Sequence, residues 1–377
     1  MLKIGLVTGE YPPMQGGVGD FSREVAWALA ALGHQVHVIT HRDAKADPSL
    51  TLHPTVRSWN IPALFSIRQL ARALSLDIVN IQYQAAAYGI TPSIHFLPSV
   101  VGRPSAVTFH DLRVPYLFPK AGRLRRDAVN TLARSAAGVI VTNPEDRQTL
   151  ERDPRIKQLI EIPIGSNITP FATHNGTRNT QYASRWGFAD SDVVVGYFGF
   201  LNASKGGATL YRALAQLPSC RLLLIGGRTG ASDATNAAYA AELDSLAAAL
   251  DIADRIVRTG YLPPRETTEA FLACDLMAMP YVDGASLRRG TVMACLAHAM
   301  PTLTTQPAVP LPELRDGDNI RLVPPEDSVA LAAAIRELCD DPSLRTRLSA
   351  GALALADQFT WDKIAAQTAA FFATLLH

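Results

Sequence analysis

The sequence predicts an α/β fold of two doubly wound, parallel-sheet domains, and three observations carry that expectation. Short apolar strands alternate with amphipathic helices along the whole chain, the pattern of parallel strands covered by helices. The alternation breaks once, at a polar stretch, and then restarts. At 377 residues the chain is too long for one ordinary core, and 48% hydrophobic with 18% charged residues describes a well-buried globular protein.

The first forty residues form one βαβ unit. Lys3–Thr8 reads as a strand, and a turn follows through Tyr11-Pro12-Pro13-Met14-Gln15-Gly16-Gly17-Val18-Gly19. The next helix places Phe21, Val25, Ala28, Leu29 and Leu32 on one stripe and closes at Gly33-His34 before a strand at 35–40. The turn lies at the carboxyl end of the first strand, where open α/β sheets take ligands. Glycines there allow close backbone approach, and the helix start offers N–H groups to an anion. Gly16 and Gly17 are therefore candidate anion-binding residues, although a tight turn with no ligand explains the glycines equally well.

Further strands are expected at 77–83, 105–110 and 138–142, with helices near 66–74, 123–135 and 144–151. The second half repeats the alternation: strands at 193–199, 221–227, 256–261, 275–280 and 302–304, and helices near 236–250, 267–274, 327–339, 343–356 and 361–376. The division this suggests is an N-terminal domain 1–170, a linker 171–188, a C-terminal domain 189–355, and a last segment 356–377 packing back on the N-terminal domain. The facing strand ends of the two domains would form a deep cleft.

Composition excludes several classes. A net charge of +1 supplies no global field for nucleic acid. The charge is uneven, with 18 Lys/Arg against 13 Asp/Glu in residues 1–170 and 17 against 21 in the rest. The four cysteines show no close spacing and read as reduced core thiols, with neither a disulfide framework nor a metal knuckle. No basic-then-apolar leader opens the chain, and no apolar run approaches the roughly 20 residues of a membrane span. A cytoplasmic protein is expected, with peripheral contact at the inner face of a membrane as the one extension. That extension rests on Tyr116 to Arg126, where aromatics mix with Lys120, Arg123, Arg125 and Arg126; a solvated helix start accounts for the same residues equally well.

The chain resembles the GT-B-fold glycosyltransferases, specifically the retaining family 4 group (glycosyl transferases group 1). The resemblance rests on Gly16-Gly17-Val18 before a helix ending Gly33-His34-Gln35-Val36, on Phe109-His110-Asp111, and on Ile162-Pro163-Ile164-Gly165. It continues through Gly199 to Lys205-Gly206, Gly260-Tyr261-Leu262, Ala273-Cys274-Asp275-Leu276 and Ala297 to Thr304. Each piece is weak alone; their order and spacing over nearly the full length are not. The resemblance implies a GT-B architecture of two Rossmann-like domains and transfer of a sugar from a nucleotide-diphosphate sugar, with retention, to a glycan, lipid-linked or small-molecule acceptor. It implies no protein nucleophile and no cofactor, with the leaving diphosphate itself taking the acceptor proton on the same face. The runs Asp190-Ser191-Asp192 and Asp316-Gly317-Asp318 read as turns, so no metal site is expected.

A donor diphosphate needs backbone N–H groups and a fixed cation. Lys205, after a strand and beside Gly206-Gly207, is the expected cation and is taken with His110 as the catalytic pair. The family's arginine five residues before the lysine is replaced by Phe200. The second donor segment runs from Asp283 to Ala294, a polar turn entering an apolar helix; Ser286, Arg288, Arg289, Gly290 and Thr291 are its candidates, with Tyr261 and Leu262 from the resemblance. Arg288 and Arg289 would restore the charge that Phe200 removes. Two glutamates eight residues apart are usual in the family. Counting back from Pro301, their positions fall on Ser286 and Ala294, while an alternative register gives Asp283 and Thr291.

In the family a histidine at the place of His110 lies against the donor sugar, where a neutral or protonated imidazole would bind a hydroxyl or support oxocarbenium character. On the N-terminal domain Tyr11, Gln82, Tyr83, Asp111, Arg113 and Asn143 are the acceptor candidates. Two other readings compete: a non-catalytic nucleotide-sugar or glycan-binding subunit, favoured by the lost glutamates and arginine, and another GT-B enzyme such as a sugar-nucleotide epimerase.

Overall fold

The alternating elements close into two parallel sheets in the computed structural model, which describes residues 1–14, 16–112, 122–227 and 235–377. One unit comprises Met1–Gly165 with Thr360–His377, the other Ser166–Phe359. The break falls at Gly165, and the polar stretch 171–188 belongs to the second unit, where part of it forms a helix.

The first unit runs β1 (Lys3–Thr8), α1 (Gly17–Ala31), β2 (Gln35–His41), β3 (Thr51–Val56), α2 (Ile61–Ala73), β4 (Ile78–Tyr83), α3 (Leu97–Val100), β5 (Ser105–Phe109), α4 (Gly122–Ser135), β6 (Gly138–Val141), α5 (Pro144–Leu150) and β7 (Leu159–Glu161). Its sheet order is β3-β2-β1-β4-β5-β6-β7. The strand order reverses between β1 and β4, so their carboxyl ends frame the crevice that such sheets use for ligands. Val79, Ile81 and Tyr83 face a core with Leu64, Ile94, Phe109 and Leu132, each fully buried apolar side chain adding about 1.5–3 kcal/mol. Asn80 and Gln82 alternate with them along β4 and are nonetheless only 2% and 1% exposed. Helix starts carry their expected caps: Asn60 accepts the Ala63 N–H at 3.2 Å before α2, and Asn143 accepts the Asp146 N–H at 3.0 Å before α5.

The second unit runs α6 (Thr180–Arg185), β8 (Val193–Phe198), α7 (Gly207–Ala215), β9 (Cys220–Ile225), α8 (Thr235–Ala249), β10 (Ile256–Arg258), α9 (Pro264–Leu272), β11 (Leu276–Met279), α10 (Gly290–Ala297), β12 (Thr302–Thr305), β13 (Arg321–Val323), α11 (Ser328–Asp340) and α12 (Pro342–Ala356). The last helix, α13 (Trp361–Thr374), packs in the first unit, where Trp361 meets Phe21 of α1 with ring centroids 5.2 Å apart. The second sheet is ordered β10-β9-β8-β11-β12-β13 and reverses between β8 and β11. All four cysteines are free thiols; Cys220 and Cys339 touch through their side chains. Among the described residues no helix is long and apolar enough to cross a membrane.

Three strands escape the sequence pattern: β3, β7 and β13, all at sheet edges. An edge strand needs only one buried pairing side, and β7 and β13 are three residues long, so their alternation is weak. Pro54 inside β3 hides it further, since proline is tolerated in a sheet only where a ladder N–H is dispensable.

Candidate functional site

In the second unit the reversal point gathers the donor candidates. Asn202 caps a single helical turn by accepting the Ser204 N–H at 3.1 Å, and the turn ends at Lys205. Gly206 follows at φ +71°, where a side chain is strained, and a Cβ there would collide with the Pro280 carbonyl oxygen. The Val282 N–H donates to the Ser204 carbonyl at 3.0 Å, which ties the segment after β11 to the loop after β8.

Tyr281 lies between these segments and is fully buried. The Lys205 ammonium stands 5.2 Å from its ring centroid and the Arg289 guanidinium 4.0 Å, both within cation–π range. Tyr281 Oη and Thr291 Oγ1 share a hydrogen bond of 2.6 Å. Arg289 Nη2 donates to Asp283 Oδ1, while its buried Nε has no hydrogen-bond partner among the described residues. Arg289 also precedes α10, whose first turn carries no acidic residue and no side-chain cap. A cap-less helix start beside two cations is an arrangement that favours an anion.

The structure therefore brings together Lys205, Asp283, Arg289, Gly290 and Thr291. Ser286 is half-buried and its hydroxyl accepts the Arg288 N–H at 3.4 Å. Ala294, the other position of the first register, is buried inside α10. The residues of the alternative register, Asp283 and Thr291, both reach the Tyr281–Arg289 pair. Tyr261 is 67% exposed after β10, with Leu262 half-buried beside it. A cavity of about 230 Å³ opens between Gly199, Leu201, Gly226, Gly227 and Gly260. The Phe200 ring stands close to Gly227, so its position supplies an apolar wall where the family has a cation.

In the first unit the start of α1 already holds a carboxylate. Glu10 accepts the Gly19 N–H, and a Cβ on Gly16 would collide with its carboxyl group, whereas one on Gly17 would meet nothing. Burial, then the Asp20 charge, raises the Glu10 pKa. The helix start expected to be open to an anion is thus occupied by the chain's own acid.

The acceptor candidates need a correction. Tyr11 is buried and donates to Asp47 Oδ2 at 3.2 Å. Tyr83 is buried on the core face, 2.7 Å from His95 Nε2. Asn143 is committed to capping α5 and donates to Asp146 Oδ2 at 2.7 Å. Gln82 is buried against His110. Asp111 remains half-buried at the strand end; Arg113 and most of the 116–126 cluster lie outside the described residues.

His110 is half-buried, its ring edge-on to Phe21 with centroids 4.6 Å apart. Burial pushes its pKa down to about 3, so the neutral imidazole is the form to consider, not the protonated one. Among the described residues no group of three or more His, Cys, Asp or Glu could hold a metal ion. The two Asp-x-Asp runs are tied into turns: Asp192 accepts the Ala189 N–H at 2.8 Å, and Asp316 pairs with Arg321 at 2.7 Å.

His298, fully buried, stacks on Phe271 and bonds Thr268 at 2.9 Å; burial pushes its pKa down to about 4. It stays neutral in the folded chain but takes a proton near 6.5 once unfolded. Stability from that ring is complete above the unfolded value and drains away as pH falls toward the folded one. The raised carboxyls of Glu10 and Asp275 act in the opposite sense, so a comparison isolates the histidine. Between pH 7 and 5 a His298→Gln variant is expected to lose roughly 2 kcal/mol less than the wild type, read from urea midpoints. Equal losses would remove His298 as the titrating group.

Two family models match. Residues 16–163 fit the "glycosyl transferase 4-like domain" and residues 192–341 the "glycosyl transferases group 1". The D-inositol 3-phosphate glycosyltransferase of Stackebrandtia nassauensis is 34% identical over 48% of this chain; the match spans 41% of that protein, less than half its length. Sucrose-phosphate synthase from Thermosynechococcus elongatus superposes with a TM-score of 0.80 at 20% identity, covering 100% of this chain and 99% of that one. Anabaena HepE in complex with UDP-glucose superposes with a TM-score of 0.78 at 20% identity, over 99% and 100%. These likenesses fix the fold as GT-B.

Proposed function

The chain belongs to the group 1 glycosyl transferases, and on that premise we propose that it transfers a sugar from a nucleotide-diphosphate sugar, with retention, to a glycan, lipid-linked or small-molecule acceptor. One observation carries the reading: Lys205 and Arg289 converge on the Tyr281 ring at the cap-less start of α10. That cluster sits where the strand order reverses, the position of ligands in such sheets. Lys205, Arg289 and the first N–H groups of α10 bind the diphosphate and stabilise the negative charge that grows on it as the glycosidic bond breaks. A diphosphate oxygen accepts the proton of the attacking hydroxyl on the same face, so no protein base is required. The apolar cavity beside Gly226 and Gly260 suits the nucleotide base.

The names of similar proteins direct the first assays: UDP-glucose as donor and D-inositol 3-phosphate as acceptor. A thermal-shift screen of nucleoside diphosphates and their sugars tests the reading, followed by product analysis and the anomeric configuration. A ligand at 100 times its Kd adds about 2.7 kcal/mol, a readily measured rise in Tm. No rise with any of them would overturn the transferase reading. A binding-only protein is the second reading, favoured by Ala294 and Phe200 standing where the family has charged groups; stabilisation without any donor hydrolysis or transfer would select it.

A further inference from the structure

A chain of buried amides runs from the sheet backbone to His110 and settles which of its ring nitrogens carries the proton. It starts at the Ala106 carbonyl oxygen, which can only accept. Asn80 Nδ2 donates to it at 3.3 Å and to Thr108 Oγ1 at 3.0 Å. That contact orients the Asn80 amide and turns its Oδ1 toward Gln82, whose Nε2 donates to it. Gln82 therefore presents Oε1 to the imidazole, 2.8 Å from His110 Nε2. An amide oxygen accepts, so Nε2 must donate, and the lone pair lies on Nδ1. Among the described residues nothing hydrogen-bonds Nδ1.

The arrangement costs too much to be incidental to packing. Asn80 and Gln82 are 2% and 1% exposed on β4, where Ile78, Val79 and Ile81 are fully buried apolar residues. A buried amide stabilises only when its partners are all present, and each link here finds its partner in the next. Phe21 closes the ring from the α1 side, edge-on at 4.6 Å, and Trp361 backs Phe21. The imidazole is thus fixed in both orientation and tautomer.

We propose that Gln82 and Asn80 are positioning residues that hold His110 in the Nε2–H tautomer, so that His110 acts through Nδ1 as a hydrogen-bond acceptor for a sugar hydroxyl. Of the forms expected from sequence this keeps the neutral imidazole bonded to a hydroxyl and drops the protonated one, and it moves Gln82 from the substrate to the histidine. It rests on the transferase reading for its ligand, but the tautomer itself does not.

The wild-type protein labelled with ¹⁵N-histidine tests it without substrate, the His110 signals among the nine histidines being assigned by their loss in His110→Gln. The expected spectrum shows protonated Nε2 and bare Nδ1, unchanged from pH 8 to about pH 5.5. A protonated Nδ1, or a titration midpoint above about pH 6, overturns the proposal. Gln82→Met, which removes the acceptor, is expected to give a mixture of tautomers and a 10- to 100-fold fall in transfer. Gln82→Glu keeps an acceptor and adds a negative charge; it is expected to retain the tautomer, raise the imidazole titration and give the rate a new acid limb. An amide chain that merely supports the fold would leave the tautomer and that titration where they were, and this outcome also overturns the proposal. The source of the hydroxyl follows from adding UDP-glucose or D-inositol 3-phosphate separately: the expected change is confined to Nδ1, and its cause names donor or acceptor. If no nucleotide sugar of the screen binds while the tautomer is as stated, the transferase reading fails and the positioning chain stands; if a donor and an acceptor both bind and Nδ1 is unmoved, the acceptor role fails.

Discussion

Lys205→Ala lowers the rate of transfer by about 10²–10³-fold while the protein keeps its fold. The size follows from removing one preorganised donor at a leaving group on which negative charge concentrates as the glycosidic bond breaks. The folding prediction follows from position: Lys205 ends a short turn held by Asn202 and Gly206, and the residue is only half-buried, with its ammonium over the Tyr281 ring. Lys205→Arg retains the charge but swaps a compact ammonium for a planar fork, so partial activity is expected. Initial rates at saturating donor, with Tm measured in parallel, decide the matter. A rate within about threefold of wild type would remove Lys205 from the site.

Arg289→Ala weakens donor binding by about 10- to 100-fold, the loss of one charge-assisted contact of roughly 1.5–3 kcal/mol. It also takes the positive partner away from Asp283, whose carboxylate accepts from Arg289. The half-buried carboxylate then repels the diphosphate, so Asp283→Asn in the same chain is expected to recover part of the affinity. Recovery in the double variant, beyond what Asp283→Asn does alone, measures the coupling of the pair. Arg289→Ala with unchanged affinity for UDP or any nucleotide sugar that binds the wild type would show that the guanidinium serves the fold only.

Legibility from sequence followed burial and periodicity. β4 was readable because Ile78, Val79 and Ile81 form an apolar run, and α1 because its stripe is regular. β3 and β13 were not, since edge strands show half-exposed polar residues and β3 contains Pro54. At the site, Lys205 and Arg289 stood out as cations beside glycines. Tyr281 did not, because an aromatic after an apolar strand reads as core; its signal was its place immediately after Pro280 at a strand end, within reach of both cations. Gln82 and Tyr83 could not both face one ligand, because neighbours in a strand point to opposite faces. The partners of Asn80 were beyond reach, since Ala106 and Thr108 come beside β4 only through the β4–β5 register.

The tie between the loop after β8 and the segment after β11 has a consequence for how this chain can change. Gly206 sits on the Pro280 carbonyl and Ser204 takes the Val282 N–H, so two stretches roughly eighty residues apart form one joint. Recombination that imports either stretch from a relative, leaving the other behind, would mismatch the joint even where each stretch is sound in its own parent. The pair works as a single part, and a hybrid of this unit keeps the joint only where position 206 stays a glycine against the Pro280 carbonyl.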